Sequence, residues 1–270
     1  METSPSEGVY TSQPVKFMVG EAKTEFYLHS ALVASKSKAL GKLIDDALAE
    51  GQQGCVVLED DDVGTFTAFA DFVYIRNYHL STDLSSPDSG DASQQKGKLK
   101  DQGRQWGRPK NAHWSHFVAN PDYRNLKKIG RKTRACNLGV SVPAPSFNLN
   151  TDYSEFLIAH AEIFDFAEHY GIDELKDLSM SNLHGALETF TLSRERIDDI
   201  LALVYFCYDN ERKNADRLNK MVASYSAAIM DSRVSDDVAK CFEGLLKKNA
   251  EFAADIAWFL ACRAMRNGVC

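Results

Sequence analysis

The chain between positions 26 and 40 reads Phe26-Tyr27-Leu28-His29-Ser30-Ala31-Leu32-Val33-Ala34-Ser35-Lys36-Ser37-Lys38-Ala39-Leu40. Its first residues alternate in polarity, and together with Val15–Val19 and a turn at Gly20 they predict a β-hairpin. From Ser30 to Leu48 apolar residues recur every three or four positions, which predicts a single helix. A hairpin that leads directly into a helix therefore opens the fold.

A further strand and helix follow this opening. Cys55–Leu58 is a short apolar run after a glycine, which predicts a buried strand. Asp60, Asp61 and Asp62 come next, and they supply an N-cap and acidic first-turn charge for a helix over 63–74.

The chain after position 150 is predicted to be helical throughout. Asp152 and Glu155 form a capping-box pattern, and one apolar helix face then continues to Tyr170 and stops at Gly171. Further helices are predicted over 173–189, over 197–208 and, as one long helix, over 238–259. The predicted fold class is α+β, with a small sheet packed on a helical cluster and a C-terminal all-α extension.

Composition is that of a globular protein. The 270 residues are 44% hydrophobic and 26% charged, close to the usual averages. The longest apolar run, 200–208, is far shorter than the roughly 20 residues of a membrane span. The first fourteen residues lack the features of a secretory signal, and the six cysteines form no CxxC pair. We therefore expect a cytoplasmic or nuclear protein with reduced thiols and no membrane contact.

Charge is unevenly distributed along the chain. Between Lys96 and Arg134 there are twelve basic and two acidic residues, a local balance of +10 in a chain of net charge −7. Sequence typical of turns and linkers flanks this region at 81–90 and 142–146. We therefore predict a basic insertion without regular structure over 83–148.

Three interpretations of the basic insertion stay open, and we favour a solvated segment that only balances an acidic domain. The second is nucleic-acid binding, because aromatic side chains interleaved with cations can stack on bases. Those aromatic residues are Trp106, Trp114, Phe117 and Tyr123. The third is a nuclear-import patch. The import or nucleic-acid patch would comprise Lys127, Lys128, Arg131, Lys132 and Arg134.

Three phrases of the sequence together resemble a BTB/POZ domain of the fungal type. The first phrase carries Phe26, His29, Val33, Ala34 and Ser37; the second carries Phe66, Phe72 and Tyr74; the third carries Ala167, Tyr170 and Leu175. The resemblance covers about 15–80 and 150–190. Leu40 stands where the family usually has phenylalanine, and Ile75-Arg76 stands where it has threonine-glycine.

The resemblance implies a division of the chain into five parts. They are a flexible N-terminus at 1–14, the first part of the domain at 15–82, the basic insertion at 83–148, the closing helices at 149–192 and a helical extension at 193–270. The N-terminus lacks the apolar strand that reinforces many family dimers, so we expect at most a weak homodimer through the first helix.

The resemblance also implies a function in protein–protein interaction, as a homodimeric scaffold or as an adaptor that holds a cullin in a ubiquitin ligase. The candidate partner surface comprises Asp60, Asp61, Asp62, Tyr153 and Glu155. A nuclear scaffold that binds chromatin or nucleic acid through the basic insertion is the alternative. We expect nucleic acid to be a partner only in that case.

The sequence contains no recognised catalytic motif. Neither phosphate-binding glycine pattern occurs, and Gly-x-Ser-x-Gly is absent. Within the resemblance His29 is a structural residue. His113, His116 and Cys136 give three metal ligands, whereas a structural zinc site needs a fourth. We expect a non-enzymatic protein without a metal, a cofactor or a small-molecule substrate.

Overall fold

Three strands and ten helices make up the part of the chain that the structure, a computed structural model, describes. The described residues are 12–49, 55–80, 109–120, 152–190, 192–194, 196–208, 216–230 and 235–266. The predicted α+β fold class is confirmed. The helices are α1 Ser30–Lys36, α2 Lys38–Ala49, α3 Val63–Ile75, α4 Ala112–Ala119, α5 Ser154–His169, α6 Asp173–Thr189, α7 Ile197–Cys207, α8 Asp216–Met230, α9 Ser235–Lys248 and α10 Ala250–Arg266.

The chain divides into two units. Among the described residues, unit 1 contains 12–49, 55–80 and 159–181, and unit 2 contains 109–120, 152–158 and everything from 182 onward. From α5 and α6, residues between Ile163 and Leu178 contribute to the core of unit 1.

The sheet of unit 1 has the strand order β2-β1-β3. Strands β1 (Pro14–Val19) and β2 (Thr24–His29) form the predicted antiparallel hairpin, and β3 (Cys55–Leu58) lies parallel to β1. Gly20 adopts a φ of 70°, and its N–H donates to the carbonyl of Leu58 at 2.9 Å. A glycine is required in this turn because a side chain at that φ would be strained.

The prediction of a single helix from Ser30 to Leu48 is wrong. Ser37 is extended, with φ −136° and ψ 115°, and its side-chain oxygen accepts the N–H of Leu40 at 3.0 Å. A hydroxyl in that position is an N-cap, so α1 ends and α2 begins at this residue. The two helices then approach closely, since a Cβ on Gly41 would lie 3.1 Å from the Cβ of Ala34.

Helix α3 begins where the acidic run predicts. The side chain of Asp62 accepts the N–H of Thr65 at 2.8 Å, which is an N-cap hydrogen bond. The predicted cap of α5 is shifted, because the helix begins at Ser154, and the side chain of Asp152 accepts the N–H of that residue at 2.8 Å.

Aromatic rings form the centre of unit 1. The ring of Phe66 lies 5.2 Å from that of Phe17 and 5.5 Å from that of Phe69, between centroids. Phe69 lies 5.3 Å from Phe166 on α5, which in turn lies 4.6 Å from Tyr170. The four phenylalanines are buried, so the hairpin, α3 and α5 share one core.

Unit 2 contains a helix from within the region predicted to be irregular. The side chain of Asn111 accepts the N–H of Trp114 at 2.7 Å and so caps α4. Phe117 is fully buried, with ring centroids 4.5 Å from His184 and 5.4 Å from Tyr225. The prediction of an unstructured insertion is wrong for 112–119, because this apolar side chain has a buried site to occupy.

The C-terminal half of unit 2 has three helices where the sequence predicted one. Helix α8 was not predicted, and it is buried continuously from Met221 to Ile229. The helix predicted over 238–259 is interrupted at Asn249, whose side chain accepts the N–H of Phe252 at 2.9 Å and donates to the carbonyl of Tyr208 at 2.7 Å. Within the described ranges, no helix is long and apolar enough to cross a membrane.

The buried histidine of α5 predicts how the stability of unit 1 depends on pH. His160 is 5% exposed, its Nδ1 lies 2.7 Å from the hydroxyl of Tyr78, and burial lowers its pKa to about 3. Unfolding restores an ordinary pKa, so the unfolded chain binds the extra proton between about pH 3 and 6.5. The free energy of unfolding should therefore fall by about 1.4 kcal/mol per pH unit below pH 6.

Chemical denaturation of the His160→Gln variant at several pH values should show that this part of the slope is lost. His79→Gln is the matched control, because His79 is exposed, and it should keep the slope. An unchanged pH dependence in His160→Gln would contradict the assignment.

Candidate interaction surface

Two distant parts of unit 1 meet at a buried hydroxyl group. The Ser37 hydroxyl donates to the carbonyl of Tyr170 at 2.7 Å and accepts the N–H of Leu40 at 3.0 Å. One side chain thus caps α2 and holds the end of α5. Because Ser37 is 0% exposed, no water can replace it easily.

Tyr170 extends this connection to the turn before α3. Its hydroxyl donates to Oδ2 of Asp61 at 2.6 Å. Burial raises the pKa of Asp61, and burial together with the hydrogen bond raises the pKa of Tyr170. The hydrogen bond therefore fixes the acidic turn that carries Asp60, Asp61 and Asp62 against the end of α5.

An ion-pair triad lies near the start of α6. Oε2 of Glu174 is 2.9 Å from Nζ of Lys36 and 2.9 Å from an Nη of Arg76. The hydrogen bond from Lys36 is the main cause that lowers the pKa of Glu174. Sequence reasoning missed this triad, since its members are separated by 98 and 138 positions and no local pattern joins them.

The eleven residues of the three phrases all lie in unit 1, mostly in its interior. Val33, Ser37, Phe66, Phe72, Ala167 and Leu175 are buried. The backbone N–H of His29 donates to the hydroxyl of Tyr74 at 3.3 Å, and its Nδ1 lies 2.9 Å from the same oxygen. The ring of Phe26 lies 5.0 Å from that of Phe66. Most of the phrase residues therefore make packing or hydrogen-bond contacts within unit 1.

A shallow concavity of unit 1 is lined by carboxylates. Its lining runs over 20–22 and 59–63. We call this carboxylate-lined surface the acidic turn surface. Its five carboxylates belong to Glu21, Glu59, Asp60, Asp61 and Asp62. All except Asp61 are exposed, and Glu59 pairs with Lys23 at 3.6 Å. Such a surface favours cationic side chains of a partner.

The rest of the predicted partner surface, Tyr153 and Glu155, belongs to unit 2. Tyr153 is 5% exposed, with its ring 4.8 Å from the Arg196 guanidinium, so its assignment to an exposed surface is wrong. A carboxylate oxygen of Asp199 lies 3.8 Å from Nε of Arg196, and burial raises the pKa of Asp199 to about 6. Glu155 is exposed and lies in unit 2, as Tyr153 does, whereas the three aspartates lie in unit 1.

The predicted import or nucleic-acid patch lies outside the described residues, which include none of Lys127, Lys128, Arg131, Lys132 and Arg134. Phe117 is buried, and the ring of Trp114 lies 5.8 Å from Phe117 and 6.1 Å from Tyr225. These two rings pack within unit 2, and the buried ring of Phe117 is not accessible to bases. The described part of the chain also has no group of three or more His, Cys, Asp or Glu side chains that could hold a metal ion.

No protein-family model, curated protein or solved structure matches the chain.

The buried hydroxyl of Ser37 gives a direct stability test. Ser37→Ala leaves the Tyr170 carbonyl and the Leu40 N–H without their partner, and it should lower the free energy of unfolding by about 2 to 4 kcal/mol. Chemical denaturation measures the change. The control is Ser35→Ala, because Ser35 is exposed and bonds only within α1; a loss as small as that of the control would contradict the assigned role.

Proposed function

We propose that unit 1 is a BTB/POZ-type protein–protein interaction module and that its acidic turn surface takes part in partner binding. The observation that carries the proposal is the hydrogen-bonded chain from Ser37 through Tyr170 to Asp61. It joins the first and third phrases of the resemblance and ends at the turn that bears the exposed carboxylates.

The distribution of side chains supports a function that resides on the exterior. The polar groups of the three phrases make hydrogen bonds within unit 1. We therefore assign partner contacts to the exposed side chains of unit 1. Large apolar side chains are exposed beside the polar ones. They are Leu43 and Leu48 on α2, and Tyr74 and Ile75 at the end of α3. Exposed apolar groups near charged ones are typical of partner-binding surfaces.

The partner that the resemblance implies is a cullin, with the chain as an adaptor in a ubiquitin ligase. The three aspartates of the acidic turn surface immediately precede α3, where a cullin-binding adaptor would need an exposed charged patch. The partner should present lysine or arginine side chains to it, because charge complementarity accelerates association and disfavours other partners.

The resemblance also implies self-association through α1. Val33 is the buried apolar residue of this helix, Leu32 is half-buried, and Ala34 and Ser35 are exposed. Small exposed side chains would bury little area against a second copy. This supports at most a weak homodimer through α1. The alternative, a nuclear scaffold that binds nucleic acid, depends on the cations of the basic insertion, and most of these lie outside the described residues.

Charge reversal tests the proposal. Three proteins are compared: the full chain, the double variant Glu59→Lys with Asp60→Lys, and a control with Asp45→Lys and Asp46→Lys on α2. Each is used to capture proteins from native lysate. Each is also titrated calorimetrically with a purified cullin N-terminal domain. All four positions are exposed, so the fold should tolerate each change. The turn variant should bind the cullin at least tenfold more weakly, about 1.4 kcal/mol, while the control binds as the unmodified chain does. Equal binding by both variants, or no cullin binding at all, would contradict the proposal.

A further inference from the structure

Helix α10 of unit 2 is apolar on two opposite sides. Phe252 and Ile256 are buried on its inner side. The other side carries the residues that we call the α10 outer face, and each of them is exposed. The α10 outer face comprises Ala254, Ala257, Trp258, Leu260 and Ala261.

The exposed side bears no charge over three turns. Between Glu251 and Arg263 the only charged residue is Asp255, and its carboxylate accepts a hydrogen bond from the hydroxyl of Tyr208 at 2.7 Å. A helix that is apolar all round is normally buried on all sides. Trp258, however, is 63% exposed and Leu260 is 38% exposed. The α10 outer face therefore has the composition of a contact surface.

The spacing of the exposed residues favours another helix as the occupant. Ala250, Ala254, Ala257 and Ala261 alternate in steps of four and three, which is the periodicity of a seam between two packed helices. Trp258 and Leu260 flank this seam. A large exposed tryptophan beside small residues is typical of an interface anchor.

We propose that the α10 outer face binds the same face of a second copy of this chain, with the two helices antiparallel. A second copy presents an identical apolar face, and an antiparallel arrangement opposes the two helix dipoles. A parallel arrangement would align the two dipoles.

The size of the face sets the strength of this dimer. The 17 residues of α10 span about 25 Å, and Trp258, at 63% exposure, contributes roughly 100 to 150 Å² from each copy. Two such faces bury on the order of 1,000 Å² in total, the lower end of specific interfaces, so a weak and reversible dimer is expected. This contact uses unit 2 alone and does not depend on the function proposed for unit 1.

Sedimentation velocity of the full chain over a range of micromolar concentrations tests the proposal. The unmodified chain should shift from monomer towards dimer as concentration rises. Trp258→Glu and Ala257→Arg should each weaken the dimer at least tenfold, because they place a charge beside the seam and in it, respectively. Tyr205→Glu on α7 is the matched control, since Tyr205 is also an exposed aromatic residue of unit 2, at 51%, and it should dimerise as the unmodified chain does.

The two charged α10 variants should keep the thermal midpoint of the unmodified chain, because the replaced side chains are exposed. A chain that stays monomeric at all concentrations would overturn the proposal. If the Trp258→Glu and Ala257→Arg variants still dimerise as the unmodified chain does, the proposal is also overturned. The dimer would then use another surface, such as α1.

Discussion

The hydroxyl group of Ser37 connects parts of the chain that lie 133 positions apart, and the arrangement of unit 1 depends on it. It satisfies two buried backbone groups at once, the N–H of Leu40 and the carbonyl of Tyr170. Leaving buried polar groups without partners costs about 1 to 3 kcal/mol each, which is a large share of the stability of a domain. The interruption between α1 and α2 and the position of the α5 terminus follow from this one interaction.

The same constraint reaches the surface through Tyr170. Its ring packs on Phe166 at 4.6 Å between centroids, and its hydroxyl holds Asp61. Asp62 is held in turn by the N-terminus of α3. With the backbone of the turn fixed from both sides, the exposed carboxylates of Glu59 and Asp60 are presented by a rigid scaffold, which reduces the entropy that a partner must offset on binding.

Local patterns in the sequence predicted local structure correctly. The hairpin, β3 and the Asp62 cap depend on residues a few positions apart, so polarity and turn chemistry were sufficient to predict them.

Tertiary interactions account for what the sequence missed. The helix break at Ser37 was missed because apolar residues keep a helical period across it. Tyr153 was assigned to the surface because its partner, Arg196, lies far along the chain. Likewise α4 was missed because linker-type sequence flanks the helix, and because its buried Phe117 ring packs against His184 and Tyr225, which lie far along the chain. The candidate site was predictable only in part. The carboxylates of the acidic turn surface can be identified from the sequence, whereas the hydrogen bond that connects the acidic turn to the end of α5 is a tertiary interaction.

Native-state hydrogen exchange of the full chain tests most directly whether the two distant segments of unit 1 form one cooperative body. Amides in β1 and α3 and amides from Ala167 to Leu178 should then exchange with one common free energy of opening and respond together to denaturant. Exchange of the 167–178 amides at a distinctly lower free energy, while β1 and α3 stay protected, would contradict the account.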